Sequence, residues 1–215
     1  DPAKKKISGH KKTVICPVTD YARKVISGKI LAGKLVRQAC QRHLDDLHTG
    51  AERGIFFDDA ASAFAIKTLQ IFHHSKGEWG GQQVVLSDWE KFIAGSLFGW
   101  KNKDGTRRFR VAYIEVPRKN GKSTFLALLC NFMLFFDGEW GAEIYTAATK
   151  REQARIVFDE AVNMLRKCPE WWRIRRDSAI YGNAVSHLAR ASKMMPLSAD
   201  AHTMDGLNPS FVTID

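Results

Sequence analysis

The stretch Val116-Pro117-Arg118-Lys119-Asn120-Gly121-Lys122-Ser123 decides the fold class. Its last three residues match the end of the phosphate-binding pattern GxxxxGK[ST], whereas Val116 stands where that pattern has its first glycine. Gly121 permits close approach of the backbone, Lys122 is predicted to reach the outer phosphates, and the Ser123 hydroxyl is predicted to bind Mg²⁺. The stretch therefore predicts a phosphate site, although a bare Gly-Lys-Ser also occurs in ordinary turns between a strand and a helix.

The residues on either side favour the phosphate site over the ordinary turn. Residues 108–116 alternate in polarity and are rich in β-branched and aromatic side chains, which predicts a strand. Residues 123–136 are strongly apolar and predict a buried helix that ends near Gly138. A strand, a loop and a helix in this order are the context that a phosphate loop requires.

Strands and helices continue to alternate after this unit. Further strands are predicted at residues 143–148, 184–188, 194–197 and 211–215, and Thr149 with Glu152 forms a capping-box pattern that opens a helix through about Leu165. We therefore predict an α/β fold of the P-loop NTPase type, with a parallel sheet and helices on both of its faces. The last strand ends on Asp215, the Walker B form, which makes Asp215 the candidate partner of Ser123 at magnesium.

The chain is predicted to have three parts. Residues 1–18 are a basic flexible leader, residues 19–79 a helical appendage, and residues 80–215 the P-loop domain, truncated at its Walker B strand. Apolar spacing in residues 20–48 indicates one long helix or two short ones, and residues 58–74 indicate another. Ser87 and Glu90 form a capping box that opens a helix to Phe98.

Charge and cysteine content narrow the class of protein. The net charge of +10 is concentrated in residues 1–37 and in two further clusters. These clusters are Lys101, Lys103, Arg107, Arg108 and Arg110, and then Arg166, Lys167, Arg173, Arg175 and Arg176. They fit either a polyanion-binding surface or ordinary solvated faces. The four cysteines lack metal-site spacing and no apolar run is long enough to span a bilayer, so a reduced, cytoplasmic setting without membrane contact is expected.

Several segments together resemble the large terminase subunit of tailed phages, the motor that drives DNA into an empty capsid. The matching segments are Leu86-Ser87-Asp88-Trp89, Phe98-Gly99-Trp100, residues 116–123, Thr146-Ala147-Ala148-Thr149-Lys150 with Gln153-Ala154, Ser198-Ala199-Asp200-Ala201-His202, and Asp205-Gly206-Leu207-Asn208-Pro209. Roughly residues 80–215 are covered, and this combination is far more specific than Gly-Lys-Ser alone.

The resemblance implies an ATPase and a set of site residues. Phosphate loops of that family carry a basic residue early in the loop, and here that residue is Arg118. The resemblance implies that Arg118 is catalytic together with Lys122, as an arginine finger. The alternative is that Arg118 only balances the charge of the phosphates. The family has a glutamine that recognises adenine directly after an aromatic residue, which is Trp89 here. In this sequence Glu90 occupies the position of that glutamine, and Gln82 and Gln83 are alternative candidates for the adenine contact. The predicted ATP-binding residues are Trp89, Gln83, Arg118, Lys119, Asn120, Gly121, Lys122, Ser123 and Thr124, and the predicted magnesium ligands are Ser123 and Asp215.

The resemblance also implies partners. These are double-stranded DNA, a portal protein, a small terminase subunit and, for the full-length protein, further copies of itself in a ring. The family has a catalytic glutamate directly after the Walker B aspartate, whereas this sequence ends at Asp215, so we expect a fragment that binds ATP and hydrolyses it poorly. The alternatives are another helicase-like P-loop motor, or a nonenzymatic prophage remnant that binds nucleotide or nucleic acid.

Overall fold

The computed structural model describes residues 16–169, 176–197 and 206–215. The helices are α1 (Pro17–Ile26), α2 (Lys34–Thr49), α3 (Asp59–Leu69), α4 (Asp88–Gly99), α5 (Lys122–Phe135) and α6 (Arg151–Lys167). The strands are β1 (Ile55–Phe57), β2 (Trp100–Asn102), β3 (Glu143–Ala147), β4 (Ser178–Tyr181), β5 (Ala184–His187), β6 (Ser192–Leu197) and β7 (Phe211–Ile214). The predicted leader lies outside the described residues except at its end, where α1 already begins at Pro17.

The central sheet has five strands in the order β4-β5-β6-β3-β7. Strands β6, β3 and β7 are parallel to one another, as predicted, whereas β5 is antiparallel to both of its neighbours, β4 and β6. β4 and β5 are antiparallel because their connection is short. The turn at Gly182-Asn183 joins them, and such a turn can connect only antiparallel strands. The sheet is therefore mixed rather than wholly parallel, and β4 was missing from the prediction.

Helices α5 and α6 pack against each other and against both β3 and β6. A buried hydrogen bond joins the two helices, because the Asn131 side chain donates from Nδ2 to the Ala161 carbonyl at 3.1 Å. Thr146 on β3 donates its hydroxyl to the Ala154 carbonyl on α6 at 2.9 Å. The two helices thus lie side by side on the same strands of the sheet.

One of the two predicted capping boxes is present in the structure and the other is not. At α4 the box is present, because Glu90 Oε2 accepts from the Ser87 backbone N–H at 2.8 Å and from its hydroxyl at 2.6 Å. At α6 the N-cap is Lys150, and the Thr149 hydroxyl instead donates to the Gln153 side chain at 3.2 Å. The second box is therefore wrong, because the helix begins one residue later than the pattern requires.

The N-terminal helices form a layer around α4. Of the two alternatives for residues 20–48, two short helices are observed, separated at Gly28 and the residues that follow. Helices α1 and α3 both pack against α4, which is possible because Gly95 has no side chain where a Cβ would collide with Val18 and Ser62. One hydrophobic core runs from α1 to β6. None of the helices in the described ranges has the length and apolarity needed to cross a membrane.

The predicted strand at residues 108–116 is wrong. This segment makes no ladder with any described strand, and Val111 and Tyr113 are 86% and 83% exposed. Its start is held by side chains, because Arg107 pairs with Asp137 and Arg108 pairs with Asp46. Alternating polarity indicates a half-buried strand only where a neighbouring strand supplies a ladder of hydrogen bonds. Among the described residues this segment has one such bond, from the Arg108 backbone N–H to the Trp100 carbonyl at 3.0 Å, and no ladder follows it.

A buried histidine lies where α1, α2 and β2 meet. His43 Nδ1 accepts from Trp100 Nε1–H at 3.0 Å, and His43 Nε2 is 3.0 Å from the Thr19 hydroxyl. The bond from Trp100 requires a neutral imidazole with its proton on Nε2. Burial lowers the pKa of His43 to about 4 from the ordinary 6.5, and the nearby Asp46 carboxylate only partly opposes this.

This histidine makes stability depend on pH. Unfolded His43 takes up a proton near pH 6.5, whereas folded His43 does so only near pH 4. We therefore expect the free energy of unfolding to fall by about 3 kcal/mol as the pH drops from 6.5 to 4. Urea unfolding at several pH values measures this, with His43→Gln as the comparison. An equal slope in the variant would show that other groups cause the change.

Candidate nucleotide site

The loop before α5 contains two residues in the left-handed backbone conformation. Gly121 is the N-cap of α5 and has φ +75°, a left-handed conformation in which a side chain would be strained. Lys119 also has positive φ, at 68°. The Asn120 side chain donates from Nδ2 to the carbonyls of Pro117 and Arg118 at 3.1 and 3.3 Å, which closes the turn. The loop is therefore folded back on itself ahead of the helix N-terminus, where phosphates bind well.

Three of the predicted site residues meet in one place. Lys122 Nζ lies 2.5 Å from Asp215 Oδ1, and the Ser123 hydroxyl donates to Asp215 Oδ2 at 2.9 Å. The Lys122 and Asp215 side chains are 43% and 19% exposed, so an incoming ligand can reach them. The first turn of α5 and the end of β7 thus converge, although they are far apart in sequence.

The sheet explains why Asp215 is at this position. β7 pairs in parallel with β3, and the Asp215 backbone N–H donates to the Ala147 carbonyl at 3.2 Å, which fixes the end of β7. Thr213, buried two residues before Asp215, has its hydroxyl 3.8 Å from Cys130 Sγ on α5. Ligands of parallel sheets bind at the carboxyl ends of the strands, which is where this cluster lies. The Thr213 contact was not predicted, because nothing in the sequence pairs it with Cys130.

The donor set fits a magnesium nucleotide. A serine hydroxyl and a carboxylate are oxygen ligands of the kind that Mg²⁺ binds, and Mg²⁺ commonly keeps several waters and uses only one or two carboxylates. Lys122 supplies the cation that outer phosphates need, while no acidic residue lies in the first turn of α5 to repel them. In the described ranges no group of three or more His, Cys, Asp or Glu could hold a metal.

The residues predicted to contact the adenine base make different contacts in the structure. The Trp89 ring lies 5.9 Å, centroid to centroid, from the ring of Phe125 on the first turns of α5, so Trp89 is next to the phosphate-loop helix. Gln83 donates from Nε2 to the Gln70 carbonyl at 2.7 Å, and Glu90 is engaged in its capping box.

The remaining predicted ATP-binding residues lie on the loop or beside it. Arg118, Lys119 and Asn120 are exposed, while Thr124 is partly buried on α5. The exposed positions leave the Arg118 and Lys119 side chains able to turn toward a bound triphosphate.

Comparison with known proteins identifies the family of this chain. Residues 88–215 match the family described as the terminase large subunit, ATPase domain. The terminase large subunit of Enterobacteria phage HK97 is 30% identical over 142 residues, which is 65% of this chain and 27% of that protein. The crystal structure of the HK97 bacteriophage large terminase superposes with a TM-score of 0.58 at 25% identity, covering 72% of this chain and 30% of the other.

This chain therefore spans about 27 to 30% of the length of these relatives. The family match covers more than half of the chain and includes the phosphate loop and Asp215. The chain belongs to the family of terminase large subunit ATPase domains.

Proposed function

We propose that this chain binds Mg-ATP at the cluster of Lys122, Ser123 and Asp215, as the nucleotide-binding part of a motor that couples ATP hydrolysis to translocation of double-stranded DNA into a capsid. The convergence of these three side chains is the observation that carries the proposal. In this assignment Lys122 contacts the outer phosphates, and Ser123 and Asp215 hold Mg²⁺ directly or through water. The family match disfavours an unrelated helicase-like motor.

The remaining site residues are assigned from their positions. The exposed loop side chains of Arg118, Lys119 and Asn120 lie where the phosphates would bind, and Thr124 follows Ser123 on the helix. Trp89, beside Phe125, is proposed to lie near the base. The bond from Gln83 to Gln70 makes Gln83 the weaker of the two base contacts.

The proposed partners follow from the motor function. They are double-stranded DNA, a portal protein, a small terminase subunit and other copies of the large subunit in a ring, assembled in the host cytoplasm. The HK97 relatives carry the name of a terminase large subunit, which supports a role in DNA packaging.

Lys122→Ala tests the nucleotide assignment. We expect the variant to bind Mg-ATP roughly 10- to 100-fold more weakly, because a charge-assisted hydrogen bond contributes about 1.5–3 kcal/mol. The loss has a second cause, since Asp215 would then face the triphosphate without its neighbouring cation. Isothermal titration calorimetry with a non-hydrolysable ATP analogue and Mg²⁺ measures the affinity.

The matched control is Lys67→Ala, which removes an exposed lysine from α3. Its affinity is expected to equal that of the unaltered chain. If both variants bind Mg-ATP as the unaltered chain does, the cluster at Asp215 is not the nucleotide site.

A further inference from the structure

Strand β7, which leads directly to Asp215, lies at one edge of the five-stranded sheet and pairs with β3 alone among the described strands. It is four residues long, and of these only Thr213 is buried. Burial specifies the register of a strand strongly where one whole face is covered, and weakly where most of its residues are accessible. The pairing of β7 with β3 therefore needs a further constraint.

The register of β7 decides where the Asp215 carboxylate lies. Successive side chains of a strand point to opposite faces, so Thr213 and Asp215 share the face that contacts α5. Ile214, between them, is 80% exposed. A slip of one residue would turn Ile214 toward the phosphate loop and the Asp215 carboxylate away from it. The contacts that hold the register therefore also hold Asp215 beside Ser123.

The start of β7 is held by Glu143, the first residue of β3. The Ser210 backbone N–H donates to the Glu143 carbonyl at 2.9 Å, and the Glu143 backbone N–H donates to the Ser210 hydroxyl oxygen at 3.3 Å. The side chain adds a third bond, because Glu143 Oε2 accepts from the Asn208 backbone N–H at 3.0 Å. Three hydrogen bonds to one residue thus fix the segment that immediately precedes β7.

The Glu143 carboxylate is also bound to the rest of the sheet. Its Oε1 lies 2.8 Å from Nζ of Lys193, the residue opposite it on β6, and its Oε2 accepts from the Tyr145 hydroxyl at 2.8 Å. These donors lower the pKa of Glu143 to about 2, with Lys193 contributing most, followed by the Asn208 N–H and the Tyr145 hydroxyl. The carboxylate is therefore charged at neutral pH, and its oxygens link the segment before β7 to β3 and β6.

We infer that Glu143 is a positioning residue for the proposed magnesium site: by fixing the start of β7 against β3, it sets the register that brings Asp215 to Ser123. The inference rests on the proposed function for the role of Asp215. Glu143 lies four residues before Ala147, whose carbonyl accepts from the Asp215 N–H, so it acts over roughly 13 Å at about 3.3 Å per residue. At that distance it contacts neither the metal nor the nucleotide.

Glu143→Gln tests the inference, because glutamine keeps the size of the side chain and removes its charge. We expect hydrogen-exchange protection of the β7 amides to fall roughly tenfold, since a charged acceptor for the Asn208 N–H becomes a weaker neutral one. Protection of the α6 amides is expected to stay the same. Exchange is followed residue by residue by NMR, without nucleotide.

The second readout is the ratio of the affinity for Mg-ATP to the affinity for metal-free ATP. In Glu143→Gln we expect this ratio to fall roughly three- to tenfold, because Asp215 favours nucleotide binding only through Mg²⁺. Calorimetry with a non-hydrolysable ATP analogue, in Mg²⁺ and in EDTA, measures both affinities. A residue that only stabilised the fold would leave the ratio unchanged.

Lys193→Gln is the matched control, because it removes the contact of Glu143 to β6 and leaves the carboxylate charged and bonded to Asn208. Both readouts are expected to equal those of the unaltered chain. Ser210→Ala approaches the same contact from the other strand, since it removes the acceptor of the Glu143 N–H. It is expected to change both readouts in the same direction as Glu143→Gln, and it decides the question if Glu143→Gln does not fold.

The inference is supported if β7 protection and the metal ratio both fall in Glu143→Gln or Ser210→Ala and neither falls in Lys193→Gln. Equal loss of protection in β7 and α6 would overturn it, because Glu143 would then stabilise the fold as a whole. An unchanged metal ratio, or an equal effect of Lys193→Gln, would overturn it as well. Failure of the nucleotide proposal is distinguishable, since it would appear as an unchanged Mg-ATP affinity in Lys122→Ala, whereas exchange in β7 is measured without nucleotide.

Discussion

Asp46→Ala is expected to lower the free energy of unfolding by about 3–5 kcal/mol. Asp46 is on α2, its side chain is only 3% exposed, and it accepts hydrogen bonds from both Arg53 and Arg108. Burial alone would raise the pKa of Asp46, but the two guanidinium groups hold it below its ordinary value, so the carboxylate stays charged. Removing it leaves the partly buried Arg108, whose side chain is 16% exposed, without its counterion.

The neighbouring residue supplies a matched control. Asp45 is exposed and accepts one hydrogen bond, from Gln41 at 2.8 Å, so Asp45→Ala is expected to change stability by less than about 1 kcal/mol. Guanidinium or urea unfolding followed by circular dichroism measures both variants. If Asp46→Ala costs no more than Asp45→Ala, the carboxylate does not hold the helical layer to the segment that leads into the phosphate loop.

Elements specified by local sequence were predicted well. The capping box of Ser87 and Glu90 places the start of α4 correctly, and the apolar run after Lys122 places α5 to within a residue. These features depend on side chains within one or two turns of each other. The convergence of Asp215 with Ser123 was also predicted, because a phosphate loop and a Walker B strand have a fixed relation in this fold.

The errors concern contacts between distant parts of the chain. Residues 108–116 have the polarity of a strand, but whether they form one depends on a neighbouring strand, which polarity does not reveal. Strand β4 was missed because its pairing with β5 depends on the hairpin turn at Gly182 rather than on its own composition. The pair of Asp46 and Arg108 joins residues 62 positions apart, and nothing local distinguishes Arg108 from the basic residues around it.

The same pair changes how the basic clusters are interpreted. In the cluster before the phosphate loop, Arg107 and Arg108 are committed to Asp137 and Asp46, which leaves them less able to bind a polyanion. In the later cluster, Arg166 and Lys167 are exposed beside a groove. The two clusters could not be distinguished from the sequence. The ion pairs of Arg107 and Arg108 indicate a structural role for the first cluster, and the exposure of Arg166 and Lys167 leaves the second as a candidate binding surface.

Arg118→Ala is expected to lower the rate of ATP hydrolysis roughly a thousandfold while weakening Mg-ATP affinity by less than about tenfold. The change is to be made in a large subunit that carries this ATPase domain together with the segments that the longer relatives possess. Arg118 is exposed on the loop that leads to Gly121, where its guanidinium can reach charge that develops on the outermost phosphate. An interaction formed mainly in the transition state affects turnover more than binding.

Arg118→Lys separates this role from simple charge balance. Lysine keeps the positive charge but lacks the planar fork that contacts two phosphate oxygens at once, so turnover is expected to stay low if Arg118 acts as a finger. Single-turnover hydrolysis gives the rate, calorimetry gives the affinity, and Lys67→Ala serves as the unaffected control. The finger role would be contradicted if Arg118→Ala lost affinity and rate equally and Arg118→Lys recovered both. Arg118 would then act only as a counterion to the phosphates. The loop would then need its catalytic cation from another residue or from a neighbouring subunit.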